Sequence, residues 1–213
     1  MSCKLIFIRH GQSLGNVSHT FLGHTNLDLS ELGFEQAKAT AKYLANKDID
    51  AVYSSDLLRA YHTCKEYLNI TNHEAVKLQN LREIFAGDWE GKKFDTLQVD
   101  FADTYAVWLN NIGLSCPKNG ESVEKLSERV VKCITEIAQQ NDGKTVAVFT
   151  HATVIRSFFN FAYGKTLEQM KDLHWPTNAS VSSVAYENGC FKVLEYSTDF
   201  FLDELKTGFP ANV

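Results

Sequence analysis

Thr145-Val146-Ala147-Val148-Phe149-Thr150 is a run of apolar and β-branched side chains with no polar alternation. Such a strand must be covered on both faces, which helix-flanked parallel sheets achieve and one-sided antiparallel sheets do not. Lys4-Leu5-Ile6-Phe7-Ile8 and Ala51-Val52-Tyr53-Ser54 repeat the pattern. Each run is followed by a stretch with helical spacing. Ser30 is placed to cap a helix over residues 31–46, with Leu32, Ala37, Ala41 and Leu44 on one face. Ser55 or Asp56 is placed to cap another, ending near Leu68. Val123, Leu126, Val130, Ile134 and Ile137 follow the 3.6-residue period. Residues 154–163 also read as helix, and residues 101–110 as a helical piece within an irregular stretch from 78 to 116. Residues 179–186 and 191–196 alternate around Glu187-Asn188-Gly189, an antiparallel hairpin signal. Strands alternating with helices predict an α/β fold, a three-layer αβα sandwich whose central sheet is mostly parallel with an antiparallel edge. With 3 prolines, 12 glycines and no internal repeat, residues 1–213 read as a single domain.

The charge balance excludes several functions. Lys and Arg total 21 against 26 Asp and Glu, a net charge of −5, and no basic run is present. That is not the footprint of a nucleic-acid or anionic-membrane binder. No apolar run reaches the roughly 18–20 residues of a membrane span, and Leu5-Ile6-Phe7-Ile8 is too short for a signal peptide. The 5 cysteines are scattered and odd in number, without a CxxC pair. A disulfide framework and a zinc site are both disfavoured, and a reducing, cytoplasmic location is expected. Asn-x-Ser/Thr triplets at Asn16, Asn69 and Asn178 are then read as chance.

Two of the strands end in histidine, giving Arg9-His10-Gly11 and Thr150-His151-Ala152. Ligands of open α/β sheets sit beyond the carboxyl ends of the strands. If the two strands are neighbours, His10 and His151 emerge on one rim, with Arg9 beside them. Arg59, one turn into the helix after another strand, can face the same rim. Two arginines and two histidines gathered in a small pocket call for an anion, and guanidinium forks match phosphoryl oxygens.

Arg9-His10-Gly11-Gln12-Ser13 with Asn16 resembles the signature of the histidine phosphatase superfamily, which includes the cofactor-dependent phosphoglycerate mutases. The resemblance continues through residues 23–33, through Ser54-Ser55-Asp56-Leu57-Leu58-Arg59-Ala60, and through residues 83–91 from Glu83 to Gly91. Gly120-Glu121-Ser122, Thr150-His151 and Asn178-Ala179-Ser180-Val181 complete the order. It implies a phosphoglycerate mutase-like fold and a phosphomonoester hydrolase that uses neither metal nor cofactor. His10 would be the nucleophile, a neutral imidazole whose tautomer is fixed by a hydrogen bond from the other ring nitrogen to a backbone carbonyl. Arg9, Arg59, Asn16 and His151 would clamp the phosphoryl group, with the backbone N–H groups of Gly11 and Ala152 as further donors. Glu83 would protonate the leaving alcohol and then activate water. Leu22 and Gly23 match positions that touch substrate. The partners implied are a small phosphorylated substrate and orthophosphate, with monomer and homodimer both open. Ala152 stands where glycine is usual, and Thr150 where serine is.

In the mutase branch an Arg-His pair follows the glutamate and further arginines lie downstream. Here Ile84-Phe85 follow Glu83, and only five arginines are present: Arg9, Arg59, Arg82, Arg129 and Arg156. Hydrolysis is therefore expected over isomerisation. Phe21, Phe85, Trp89, Trp108 and Trp175 are candidate walls for a partly apolar leaving group, with core packing the alternative, favoured for Trp89 and Trp108.

Overall fold

The computed structural model describes residues 2–208. Six strands form one sheet: β1 (Cys3–Arg9), β2 (Ala51–Ser54), β3 (Ala75–Lys77), β4 (Thr145–Thr150), β5 (Val181–Glu187) and β6 (Cys190–Thr198). Their order is β3-β2-β4-β1-β5-β6. β1 pairs parallel with β4, β4 with β2, and β2 with β3, while β5 and β6 close the other side antiparallel. The helices are α1 (Leu14–Val17), α2 (Glu31–Leu44), α3 (Leu58–Leu68), α4 (Phe94–Asp100), α5 (Ala102–Asn110), α6 (Val123–Gln140) and α7 (Ala152–Ala162), with short 3-10 turns between.

The unalternating strands are buried on both sides, as their composition requires. Ile6 and Ile8 of β1 join Ala147 and Phe149 of β4 in a core with Ala41, Leu44, Cys64 and Tyr67 from α2 and α3. The opposite face carries Leu5, Phe7, Val146 and Val148 against α6 and α7, including Val130, Ile134, Phe158 and Phe159. Around Asn188-Gly189 both turn residues have positive φ, 52° and 81°, the backbone of a tight hairpin whose twist matches its strands.

Sheet and helices follow the expectation, and the irregular regions depart from it. Ser30 caps α2, accepting from Gly33 N–H at 3.1 Å, and the helix stops at Leu44. Neither Ser55 nor Asp56 caps α3: it begins at Leu58 with Leu57 as an extended, uncapped entry. Asp56 instead binds Arg82 through both oxygens, at 2.7 and 2.5 Å. Loop 11–29 contains α1, which Ser13 and Asn16 close with a reciprocal capping box. α4 and the three-residue strand β3 carry too little periodicity to be read from sequence. α7 starts two residues early, directly after His151.

One close approach fixes how β1 leads into α2. A Cβ on Gly33 would sit 2.0 Å from Gln12 O, and one on Gly11 would sit 2.4 Å from Gly33 O. Backbone meets backbone there, so neither neighbour can yield as a flexible side chain would. Gly33→Ala is expected to destabilise the chain by about 1–3 kcal/mol, read as a lower urea midpoint with an unchanged slope.

Candidate active site

The chain leaves β1 towards β2 on one side, and leaves β4 towards β5 on the other, so the crevice between β1 and β4 opens at their carboxyl ends. Arg9 and His10 end β1, and His151 ends β4. His10 Nδ1–H donates to Gly11 O at 2.7 Å, which leaves Nε2 with the lone pair. The backbone of His10 is pinned through its carbonyl, which accepts from Ala179 N–H at 3.1 Å and Asn178 Nδ2 at 3.3 Å. Arg9 Nη1 donates to Pro176 O at 2.6 Å.

Asn16 Oδ1 accepts from Ser13 N–H at 2.9 Å, Ser13 Oγ at 3.0 Å and Asn178 Nδ2 at 3.2 Å. With the oxygen so occupied, the amide Nδ2 is the group that remains for a ligand. Arg59, on the first turn of α3, is held by backbone carbonyls, Nη2 on Gly23 O at 2.7 Å and Nη1 on Thr25 O at 3.0 Å. Glu83 Oε1 accepts from Ile84 N–H at 2.8 Å and Oε2 from Thr153 N–H at 3.1 Å, which sets the carboxylate on the N-terminal turn of α7.

Arg9, His10, Asn16, Arg59, Glu83 and Ala152 line one pocket, together with Leu22 and Gly23. His151 lies just beneath, fully buried, its ring centroid 5.3 Å from that of His10. Its Nε2 is 2.8 Å from Ser55 Oγ, while Nδ1 has no hydrogen-bond partner among the described residues.

Two expected residues fall elsewhere. Gly11 N–H donates to Thr63 Oγ1 at 3.0 Å and faces away from the pocket, so it is no phosphate donor; its glycine identity answers to the Gly33 backbone. Phe85 is 42% exposed and sits outside the pocket, its ring 5.3 Å from that of His24. Trp89 and Trp108 are both core, as favoured; Trp108 also lines the pocket with Phe21 and Trp175, and Phe94 joins them. Phe94 was missed because its segment shows no helical repeat.

One supporting residue was also missed. Arg129 of α6 grips Glu121 at 2.6 and 2.8 Å and donates to the carbonyls of Asn80, Arg82 and Glu83 at 2.9–3.0 Å. Glu90 accepts from the N–H groups of His24, Thr25 and Ala86 at 2.7–2.9 Å, tying the Gly23 loop to the Glu83 loop. Those contacts give both motif-block carboxylates a structural role.

Burial dominates the electrostatics. It pushes Arg9 and Arg59 down to about 10, with Glu83 acting in the opposite direction. Burial, then the Arg59 and Arg9 guanidiniums, hold His10 well below the ordinary imidazole value. His151 is held down by burial, Arg59 and His10. The result is a pair of neutral imidazoles between two cations, a receptor for an oxyanion with a nitrogen lone pair inside it. Among the described residues no three His, Cys, Asp or Glu side chains gather as a metal-ligand set.

Residues 5–199 match the histidine phosphatase superfamily (branch 1), and the chain belongs to that superfamily. It is similar to the adenosylcobalamin/alpha-ribazole phosphatase of Escherichia coli (strain K12), 29% identical over 167 residues, 78% of this chain and 82% of that one. It is 32% identical over 185 residues to a 2,3-bisphosphoglycerate-dependent phosphoglycerate mutase of Rhizobium meliloti (strain 1021), covering 83% and 87%. The solved structure of Bacillus stearothermophilus YhfR superposes with a TM-score of 0.91 at 24% identity, over 94% of this chain and 100% of that one, a likeness of fold.

The two depressed imidazoles make stability depend on pH. Below the ordinary histidine value of 6.5 the unfolded chain binds protons that folded His10 and His151 refuse. Stability is therefore expected to rise with pH between about 5 and 7, by up to about 1.4 kcal/mol per pH unit for each histidine. Urea midpoints in phosphate-free buffer measure it. The slope should flatten in a His10→Gln, His151→Gln double variant; an unchanged slope there would assign the effect to other groups.

Proposed function

We propose that this phosphoric monoester hydrolase works without a metal, through a phosphohistidine on His10, on a small phosphorylated metabolite. The observation that carries the reading is the His10 Nδ1–Gly11 O hydrogen bond of 2.7 Å, inside a pocket shared with Arg9, Arg59 and Glu83. It selects the tautomer whose Nε2 lone pair can attack phosphorus.

In the first step the Nε2–P bond forms and the P–O bond to the alcohol breaks. Arg9, Arg59 and Asn16 Nδ2, with His151 behind them, stabilise the charge on the phosphoryl oxygens; positioning and charge supply most of the rate in such transfers. Glu83 gives its proton to the departing alkoxide. Water then attacks phosphorus, Glu83 takes a proton from it, and the N–P bond breaks to release orthophosphate. The two guanidiniums supply fixed positive charge within the pocket, so the proposed steps call for no divalent ion. The free thiols of Cys3, Cys64, Cys116, Cys133 and Cys190 favour a cytoplasmic setting.

A second reading, isomerisation of a phosphoglycerate, is favoured by the mutase relative at 32% identity. Against it, three of the five arginines are engaged away from the pocket: Arg82 with Asp56, Arg129 with Glu121, and Arg156 with Met170 O and Lys171 O.

The p-nitrophenyl phosphatase activity is expected to persist in excess chelator and to fall by at least about 10³-fold in His10→Ala. An acid-labile, base-stable phosphoenzyme should be trapped from the parent chain and absent from the variant. Full activity in His10→Ala would remove His10 as nucleophile. Primer-dependent conversion of 3-phosphoglycerate faster than its hydrolysis would favour the mutase.

A further inference from the structure

We propose that the pocket selects phosphomonoesters whose leaving group is uncharged and apolar or aromatic, and discriminates against carboxylated ones such as phosphoserine and phosphoglycerate. This rests on the hydrolase reading above and deepens it. The ionisable groups that line the pocket are Arg9, His10, Arg59 and Glu83, all at the phosphoryl centre. Beyond them the walls are Phe21, Leu22, Phe94, Trp108 and Trp175, with Thr20 as a neutral polar member. Phe21 and Trp108 meet edge to face at 5.0 Å, and Trp108 and Trp175 lie 5.9 Å apart, so the walls form one connected aromatic surface. The Arg156 guanidinium stacks 4.4 Å from the Trp175 ring centre and donates to the Met170 and Lys171 carbonyls, fixing that wall from outside the pocket.

A carboxylate carried on the leaving group would lose its hydration against these rings and, among the described residues, meet no further cation lining the pocket. An apolar group of the same size gains by burial there.

The test compares 2-phenylethyl phosphate, O-phosphoserine and 3-phosphoglycerate, whose leaving alcohols are all unactivated, in excess chelator. The kcat/KM for 2-phenylethyl phosphate is expected to exceed that for either carboxylated ester by about 10-fold or more. Trp175→Ala should narrow the ratio. Hydrolysis of all three esters with the carboxylated ones equal or better overturns the proposal and leaves the hydrolase reading standing. Hydrolysis of none overturns both.

A separate observation carries a second inference. The geometry points to Ser55 as the positioning residue that sets the tautomer of His151. Ser55 Oγ accepts from Leu57 N–H at 3.3 Å and lies 2.8 Å from His151 Nε2. Both side chains are fully buried. If Ser55 donates to Nε2, its hydroxyl proton is satisfied and His151 carries its own proton on Nδ1, the nitrogen with no partner among the described residues. If Nε2–H donated instead, the hydroxyl proton and the Nδ1 lone pair would both be buried unpaired, each at the cost of desolvation. The first arrangement turns His151 into a neutral donor for a phosphoryl oxygen. Ser55 and Arg59 both lie in the segment that leads from β2 into α3, so one connection sets two members of the clamp.

Long-range ¹⁵N NMR of the imidazoles tests this without turnover. His151 is expected to show a protonated Nδ1 and an unprotonated Nε2. Ser55→Ala should raise the Nε2–H population and lower kcat/KM by about 10–100-fold, as loss of an orienting partner does elsewhere, and Ser55→Thr should restore both. An unprotonated Nδ1 in the parent chain overturns the proposal whether or not the variants fold, as does Ser55→Ala with tautomer and rate unchanged.

Discussion

Arg9 and Arg59 are 4% and 1% exposed at the carboxyl ends of the sheet, and the character of the site follows from that burial. A guanidinium taken out of water is expensive unless its N–H groups are hydrogen-bonded. Here backbone carbonyls do part of that work: Pro176 for Arg9, Gly23 and Thr25 for Arg59. Neutral carbonyls satisfy geometry without cancelling charge, so positive potential is left in a place of low dielectric. Burial first, and then the same potential, keep His10 and His151 unprotonated. One arrangement therefore suits an oxyanion and leaves His10 Nε2 with the lone pair that the proposed phosphohistidine route needs.

Such a cluster has to be held from outside itself, since its two guanidiniums carry like charge and repel one another. Three carboxylates and one carboxamide supply the framework. Glu90 joins the loop before α2 to the loop carrying Glu83, and Glu121 fixes Arg129, which gathers three carbonyls of the strand-to-loop segment ending at Glu83. Asn178 binds both the His10 carbonyl and Asn16, which ties the β5 approach to the end of β1. Asp56 meets Arg82 below this layer. Acidic residues in a phosphate-binding protein look misplaced until they are seen to sit one layer away from the anion.

How much of this was legible depended on whether the signal was periodic or local. The buried strands, α2, α6 and the hairpin declare themselves through repeated side-chain types, and the two histidines follow because strand ends are where such sheets expose chemistry. Gly11 was misjudged because a glycine beside a phosphate site and a glycine under a backbone crossing look alike in sequence; only Gly33, 22 residues along, separates them. Phe85 and Phe94 show the same difficulty with aromatics. The first hangs outside on the turn after Glu83, and the second enters the pocket from a helix of seven residues. Arg129 left no local trace, since its partners lie 8 to 49 residues away.

The two halves of the pocket come from different parts of the chain, and that separation has a consequence for how the fold accommodates different esters. Arg9, His10, His151 and Arg59 sit at the ends of β1 and β4 and the start of α3, where any shift would disturb the central sheet. The walls come from α4, α5 and the loop before β5: Phe94, Trp108 and Trp175. Those segments pack on one another, α4 on α5 and Trp108 of α5 on Trp175 of the loop. Substitutions in them can reshape the leaving-group side while the hydrogen bonds that fix the phosphoryl centre stay in place. On the proposed mechanism, phosphoryl chemistry and leaving-group choice are thus coupled through distance alone, by where the ester oxygen lies when the phosphoryl group is clamped, with Glu83 at the boundary between them.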